Sequence, residues 1–391
     1  MTDVAAALEE LRDRGLHRRL RLVEGAQGPR VLLDGREVLL LCSNNYLGLA
    51  DDTRVREAAA EAALRWGAGA GASRLISGNM EPHRALERRL AAFVGSRAAL
   101  LFGSGFLANT GAVAALAGRG EVVFSDELNH ASIIDGCRLS RAETFVYRHG
   151  DLEHLAWGLA EAGGRAALIV TDGVFSMDGD AAPLVALAEL ARRHGARLMV
   201  DDAHAIGAVG PGGRGTVAAA GLEDEVDVVV GTLGKALGSY GAFVCADAAT
   251  VDFLLNRARP FIFSTAPPPP AIAAAAAALE ILEAEPELPR RLQDNAAVLR
   301  GALALEGLAT GRSSTQIVPV EVGAAETTMA LCEEALAAGV FAQGVRPPTV
   351  PEGSSRLRFT VMATHGTEEL ERAAGAVGDA ARRLGLIGVP A

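Results

Sequence analysis

The stretch GTLGKALG carries Lys235, the single lysine among 37 lysines and arginines in a chain of 391 residues. A chain that otherwise uses arginine has a reason to keep one amine. Guanidinium stays charged and unreactive, whereas an ammonium can lose its proton and form a Schiff base. Lys235 follows an apolar run, VDVVVGT (226–232), and other apolar runs end in groups that suit the same chemistry. Asp201, Asp202 and His204 follow RLMV, DGVFSMDGD follows AALIVT, GSGF (103–106) follows AALLF, and His130 in SDELNHASIID follows EVVF. In sheets of buried parallel strands, ligands collect outside the C-terminal strand ends. Acids, histidines, small residues and the lysine are therefore expected along one edge.

A Schiff-base lysine serves an aldolase-type reaction or holds pyridoxal phosphate. The cofactor needs a carboxylate to keep its pyridine nitrogen protonated, so that the ring can act as an electron sink. Asp201 suits that role, and Asp202 is the acid expected to cap the next helix. His130 can stack on the ring, although a lone histidine is often only a hydrogen-bonded structural residue. GSGF followed by LANTGAVAAL offers backbone N–H groups at a helix start to a phosphate. The glycines around Lys235 are expected to let a planar ligand approach the backbone. GAGAGAS (67–73) follows a helical stretch, EAAAEAALRW, rather than a strand, which excludes a dinucleotide-binding loop there.

The elements that must position these groups alternate along the chain. Short apolar runs lie at 98–102, 121–124, 145–147, 166–171, 197–202, 226–232 and 241–246, with helical stretches between them. Such runs, without polar alternation, read as strands buried on both faces. The fold class is α/β: a large domain with a mainly parallel, seven-stranded sheet, and a smaller α+β C-terminal domain. The divisions expected are an N-terminal segment 1–50, a large domain 51–275 and a small domain 276–391. Residues Val4, Leu8 and Leu11 mark an amphipathic N-terminal helix. Strands at 30–33 and 37–42 form a hairpin turned by Asp34-Gly35. Pro267–Pro270 punctuate the end of the large domain, and AIAAAAAALEIL (271–282) is a packed helix. Strands at 316–322 and 356–361 and a helix at 367–384 belong to the small domain.

Half the residues are hydrophobic, which argues against disorder, and the net charge of −11 argues against nucleic acid or an anionic membrane as partner. Cys42, Cys137, Cys245 and Cys332 show no metal spacing and read as reduced thiols of a cytoplasmic protein. No metal site, signal peptide or membrane span is expected.

The segments NNYLGL (44–49), SRLISGNMEPHRALE (73–87), GSGFLAN (103–109), NHASIIDG (129–136), TDGVFSMDGDAAPL (171–184), VDDAHAIGAVGPGGRG (200–215), GTLGKALG, FIFSTAPPP (261–269) and RPPTVPEGSSRLRFTVMATH (346–365) occur in the order found in the α-oxoamine synthases. The chain resembles that family over nearly its whole length. The resemblance implies a fold-type I transferase that uses pyridoxal 5'-phosphate, with Lys235 bonded to the cofactor. It implies Asp201 at the pyridine nitrogen, His130 stacked on the ring, and His204 and Ser176 near the ring hydroxyl. Gly105 and Phe106 backbone groups with Thr232 would hold the phosphate. Ser264 and Thr265 would reach it from the other subunit of a homodimer. Asn45 and Arg358 would meet the amino-acid carboxylate. Arg346 and Thr349 of RPPTVP, with an N-terminal arginine aligned to Arg18 beside Arg19 and Arg21, would meet the acyl substrate. RPPTVP with SRLISGNMEPHRALE resembles the branch that joins L-alanine to pimeloyl-CoA or a pimeloyl-carrier protein. The alternatives are a synthase joining glycine to acetyl-CoA, an aminotransferase on the same fold, and a non-enzymatic α/β protein.

Overall fold

The computed structural model describes residues 2–388, which form two compact units: 49–176 with 180–290, and 2–48 with 177–179 and 291–388. The larger unit is built on seven strands: β1 (Ala98–Phe102), β2 (Val122–Asp126), β3 (Glu143–Tyr147), β4 (Ala166–Asp172), β5 (Arg197–Asp201), β6 (Val228–Thr232) and β7 (Ala242–Ala246). Their order across the sheet is β1-β7-β6-β5-β4-β2-β3. The five strands from β6 to β3 run parallel, and β7 is antiparallel to both of its neighbours. Each of the seven apolar runs is one of these strands. β2, β6 and β7 are buried at every residue, as expected of strands covered on both faces. β3, at the edge, is largely uncovered and less apolar.

Helices return the chain between parallel strands: α1 (Gly105–Leu116), α2 (Ala131–Ser140), α3 (Leu152–Glu161) and α4 (Leu184–His194). Their starts are coded locally. Ser104 accepts a hydrogen bond from Leu107 N–H, and Asp151 accepts one from His154 N–H, as N-cap side chains do. The returns bring Asp126, Asp172, Asp201 and Thr232, each the last residue of its strand, to one edge. Asp172 and Asp201 are register partners on adjacent strands. Two carboxylates therefore lie side by side in a buried setting.

The smaller unit holds two sheets. One is made of Val23–Glu24, Arg30–Leu33, Arg36–Leu40 and Val340–Phe341, the other of Ile317–Gly323, Ser355–Thr360 and Gln343–Val345. Asp34 and Gly35 turn the hairpin with φ of 48° and 80°, the positive values such a two-residue turn requires. The N-terminal helix, Val4–Asp13, is capped by Asp3 and buries no residue. Among the described residues, no helix is long and apolar enough to cross a membrane.

Candidate active site

Lys235 lies half-buried in the loop 233–241 between β6 and β7. Gly238 N–H donates to Lys235 O at 2.9 Å, Ser239 N–H to Leu233 O at 2.8 Å and Leu233 N–H to Gly241 O at 2.9 Å. Thr232 Oγ1 donates to Gly241 O at 3.0 Å and accepts from Gly234 N–H at 3.2 Å. The two flanking glycines with the tightest surroundings serve packing. A Cβ on Gly231 would sit 2.2 Å from the Phe243 ring. One on Gly238, at φ 58°, would sit 2.4 Å from Ala50 N. Close approach of protein to protein, rather than ligand to backbone, explains these two positions.

Beside this loop stands the acidic edge. Asp201 is buried; its Oδ2 accepts from Asn109 Nδ2 at 2.5 Å and its Oδ1 from Ala203 N–H at 3.0 Å. Asn109 Nδ2 also donates to Ser132 Oγ at 2.9 Å, and Ser132 Oγ lies 2.6 Å from His130 Nδ1. Asp172 Oδ2 accepts from His130 N–H at 3.1 Å, and Asn129 Oδ1 accepts from Asp172 N–H at 2.9 Å. Burial, followed by the charge of Asp201, pushes the Asp172 carboxyl well above the usual range. Burial pulls His130 below the ordinary imidazole value; Asp201 opposes this and Lys235 adds to it. Lys235 is thus within electrostatic reach of both His130 and Asp172. Asn109 is 1% exposed, and its Oδ1 has no partner. Such an orphan costs about 1–3 kcal/mol. It persists because both amide hydrogens are committed to Asp201 and Ser132.

Asp202 turns to the other side. Its carboxylate accepts from Thr216 N–H at 2.8 Å and Thr216 Oγ1 at 2.5 Å, at the start of the short helix Thr216–Ala220. Burial pushes it up to about 7. It is a helix-start acid, as its position after Asp201 implied.

Gly105 and Phe106 open α1, where backbone N–H groups have no carbonyl of their own helix to bond. A Cβ on Gly105 would meet nothing within 4 Å, so the space over this helix start is open. The donor set fits pyridoxal phosphate: a deprotonatable amine, a buried carboxylate for a ring nitrogen, and helix-start N–H groups for a phosphate. His204 is buried in the turn after Asp201, and Ser176 is half-buried in the loop after β4. Ser264 is half-buried and Thr265 exposed, in a segment anchored through its backbone. Thr265 bridges to Ser73, Ala266 N–H donates to Ala72 O at 3.0 Å, and the buried His83 places Nε2 2.7 Å from Pro267 O.

The smaller unit carries the other expected residues. Asn45 is buried and its Nδ2 donates to Gln27 O at 2.9 Å. Arg358 is buried on the strand Ser355–Thr360 and hydrogen-bonds Tyr46, the neighbour of Asn45. Arg346 Nη2 donates to His17 O at 3.0 Å. Burial and then the adjacent Arg18 charge lower its pKa. Arg18 itself is exposed, whereas Arg21 is engaged by Glu333 and Asp34. Thr349 is exposed, and its N–H donates to Arg346 O at 3.2 Å. Asn109, Ser132, Asn129 and Asp172 were not singled out from the sequence. Asp172 carries the same strand-end signal as Asp201, and Ser132 follows His130 by two residues.

A model of the family "Aminotransferase class I and II" matches residues 36–377. The 8-amino-7-oxononanoate synthase of Geobacter sulfurreducens is 55% identical over 388 residues, 98% of this chain and 99% of that protein. That of Citrifermentans bemidjiense is 53% identical over 390 residues, 99% of this chain and all of the other. Among solved structures, serine palmitoyltransferase from S. paucimobilis with bound PLP-myriocin aldimine is 34% identical. It superposes with a TM-score of 0.93 over 98% of each chain. The amine at the sheet edge, the buried carboxylate beside it and these likenesses agree: the chain belongs to the class I and II aminotransferase family and, within it, to the α-oxoamine synthases.

Proposed function

We propose that the protein is a pyridoxal 5'-phosphate-dependent acyltransferase that condenses L-alanine with a pimeloyl thioester, of CoA or a carrier protein. It releases CO2 and the thiol and forms 8-amino-7-oxononanoate for biotin synthesis. The observation that carries the reading is Lys235: the chain's one lysine, at the C-terminal sheet edge, within electrostatic reach of His130 and Asp172. Near full-length likeness to 8-amino-7-oxononanoate synthases, at 55% and 53% identity, supports these substrates.

When bound, pyridoxal phosphate supplies an electron sink for the carbanion at the amino-acid Cα. The protein supplies the rest. Lys235 Nζ would anchor the cofactor and, as a free amine, is the base that would take the amino-acid Cα proton. Asp201 keeps the ring nitrogen protonated. His130 would pack on the ring and its ring N–H would polarise the thioester carbonyl, with His204 serving proton transfers. Ser176 and His204 meet the ring hydroxyl. Gly105 and Phe106 N–H groups and Thr232 hold the phosphate. Ser264 and Thr265 contribute to the phosphate site of a partner subunit. Asn45 and Arg358 hold the amino-acid carboxylate, while Arg18, Arg346 and Thr349 hold the acyl end. The homodimer reading is supported by apolar side chains the larger unit leaves uncovered: Leu64, Ile76, Phe106, Tyr240 and Phe263 are 91, 80, 45, 55 and 70% exposed. A cytoplasmic location is supported by four free thiols, of which Cys137 is pushed up to about 11 by burial.

The likeness to serine palmitoyltransferase favours one second reading, a synthase with another amino acid and a longer acyl chain. A panel of L-alanine with pimeloyl-CoA, L-serine with palmitoyl-CoA and glycine with acetyl-CoA separates them. CO2 release with the first pair alone is expected. Borohydride reduction of the holoenzyme should place a phosphopyridoxyl group on the Lys235 peptide, and Lys235→Ala should abolish turnover. An unlabelled Lys235 would overturn the cofactor reading.

A further inference from the structure

We propose that Asn109 and Ser132 are positioning residues that form a one-way hydrogen-bond relay from His130 to Asp201, holding His130 as its Nε2–H tautomer. The direction follows from what each group can do. A carboxylate oxygen only accepts, so Asn109 must turn its NH2 toward Asp201 Oδ2, 2.5 Å away. The second amide hydrogen then points to Ser132 Oγ, at 2.9 Å. With that lone pair occupied, the Ser132 hydroxyl hydrogen is available for His130 Nδ1, at 2.6 Å. Nδ1 is therefore an acceptor. The Ser132 N–H, 3.3 Å from Nδ1, reinforces this. A neutral imidazole that accepts at Nδ1 carries its hydrogen at Nε2. Burial keeps the ring neutral.

Two features indicate that the relay is selected rather than incidental. Asn109 and Ser132 are 1% and 0% exposed, and Asn109 Oδ1 is left without a partner. A buried amide that gives both donors to the relay and leaves its acceptor unused is a departure that calls for a reason. The consequence for chemistry is specific. His130 presents a hydrogen-bond donor, not a base, at the nitrogen free of the relay. Its tautomer is tied to Asp201 Oδ2 acting as the acceptor at the far end of the relay.

The proposal rests on the cofactor reading only for the roles given to Asp201 and His130. The decisive measurement is 15N NMR of the full-length holoenzyme labelled at its eight histidines, with His130→Gln identifying the resonances. Wild type should show a pyridine-type Nδ1 and a pyrrole-type Nε2. Ser132→Ala should mix the tautomers and lower kcat by about tenfold with a smaller change in KM for the amino acid. Asn109→Ala should also raise the cofactor Kd by about tenfold and shift the pH titration of its absorbance band. Asn109→Ser is the milder variant if alanine there prevents folding, and it should move the same signals in the same direction. A pyrrole-type Nδ1 in wild type, or unaltered His130 resonances in the Ser132→Ala protein, would overturn the relay. Failure of the borohydride label would sink the cofactor reading alone, because the tautomer is read from the nitrogen shifts.

Discussion

His130 and His149 stand on the same edge of the same sheet, and their surroundings make them opposites. His130 follows β2, and its Nδ1 meets the Ser132 hydroxyl. His149 follows β3 and is clasped on both: Nδ1 is 3.0 Å from Asp126 Oδ1, and Nε2 is 2.9 Å from Asp180 Oδ2. Phe175 stands edge-on at 4.4 Å. Burial lowers the pKa of both. At His149 the two carboxylates more than offset it and carry the group up to about 10; at His130 nothing does. One ring is kept neutral by burial. The other is held as a cation at neutral pH and ties together the chain after β2, β3 and β4, the segments that also carry His130 and Ser176. Histidine next to strand ends is thus not a signature of catalysis by itself; the partners of its two nitrogens decide.

The largest expected effect breaks the clasp. The folded pKa of His149 is raised, so its stabilisation is fully present below pH 6.5 and is lost as pH rises through about 10. A shift of this size corresponds to about 4 kcal/mol across that interval. His149→Gln should lower stability by an amount approaching this at neutral pH and flatten the alkaline limb of a denaturant-derived stability profile. An unchanged limb would show that the carboxylates do not hold a proton on His149. The complementary experiment is His130→Gln. It should cost about 100-fold in kcat, roughly 3 kcal/mol of barrier, and leave the alkaline limb as it is. If this variant instead lost stability and kept activity, the roles of the two histidines would be exchanged.

The difference between these sites also marks what could be read from the sequence. Burial on both faces is written along a covered strand, so the runs from 98–102 to 241–246 were legible apart from the weaker edge run 145–147, and so was the edge where they end. Lys235 and Asp201 stood out because position after a buried strand is a one-dimensional signal. Asn109 lies within GSGFLAN, yet its partner Asp201 is 92 positions away, and no local pattern announces that pairing. The His149 clasp joins acids 23 and 31 positions off. His83, in a segment rich in charge, is wholly buried against Pro267 O; a single histidine in a polar helix gives no hint of that. The strands Val340–Phe341 and Gln343–Val345 are short and include a glycine, so they lack apolar periodicity. Composition marks a boundary near residue 50. It does not reveal the parallel pairing of Val340 with Leu39, which groups 2–48 with the C-terminal residues.

A third histidine, in the smaller unit, sharpens the contrast with His149 at the acid end. His365 is buried, and its Nδ1 accepts from Met362 N–H at 2.8 Å. Asn295 Nδ2 braces the same turn through Met362 O and His365 O, at 2.9 and 3.1 Å. Burial takes its pKa down to about 4, opposed by Glu369. The unfolded chain binds a proton here as pH falls below 6.5, while the folded chain does not until about pH 4. Stability is therefore present above pH 6.5 and is lost as pH falls toward 4, the reverse of His149. After allowance for relaxation of the buried site, the loss is about 2 kcal/mol. His365→Asn retains an acceptor near the Nδ1 position and removes the titration. It should flatten the acid limb, leave the alkaline limb intact, and leave kcat at neutral pH within about twofold of wild type, because surface and structural changes away from a site have small effects. An acid limb as steep as in wild type would mean that carboxylates, not this buried imidazole, set the loss of the fold at low pH.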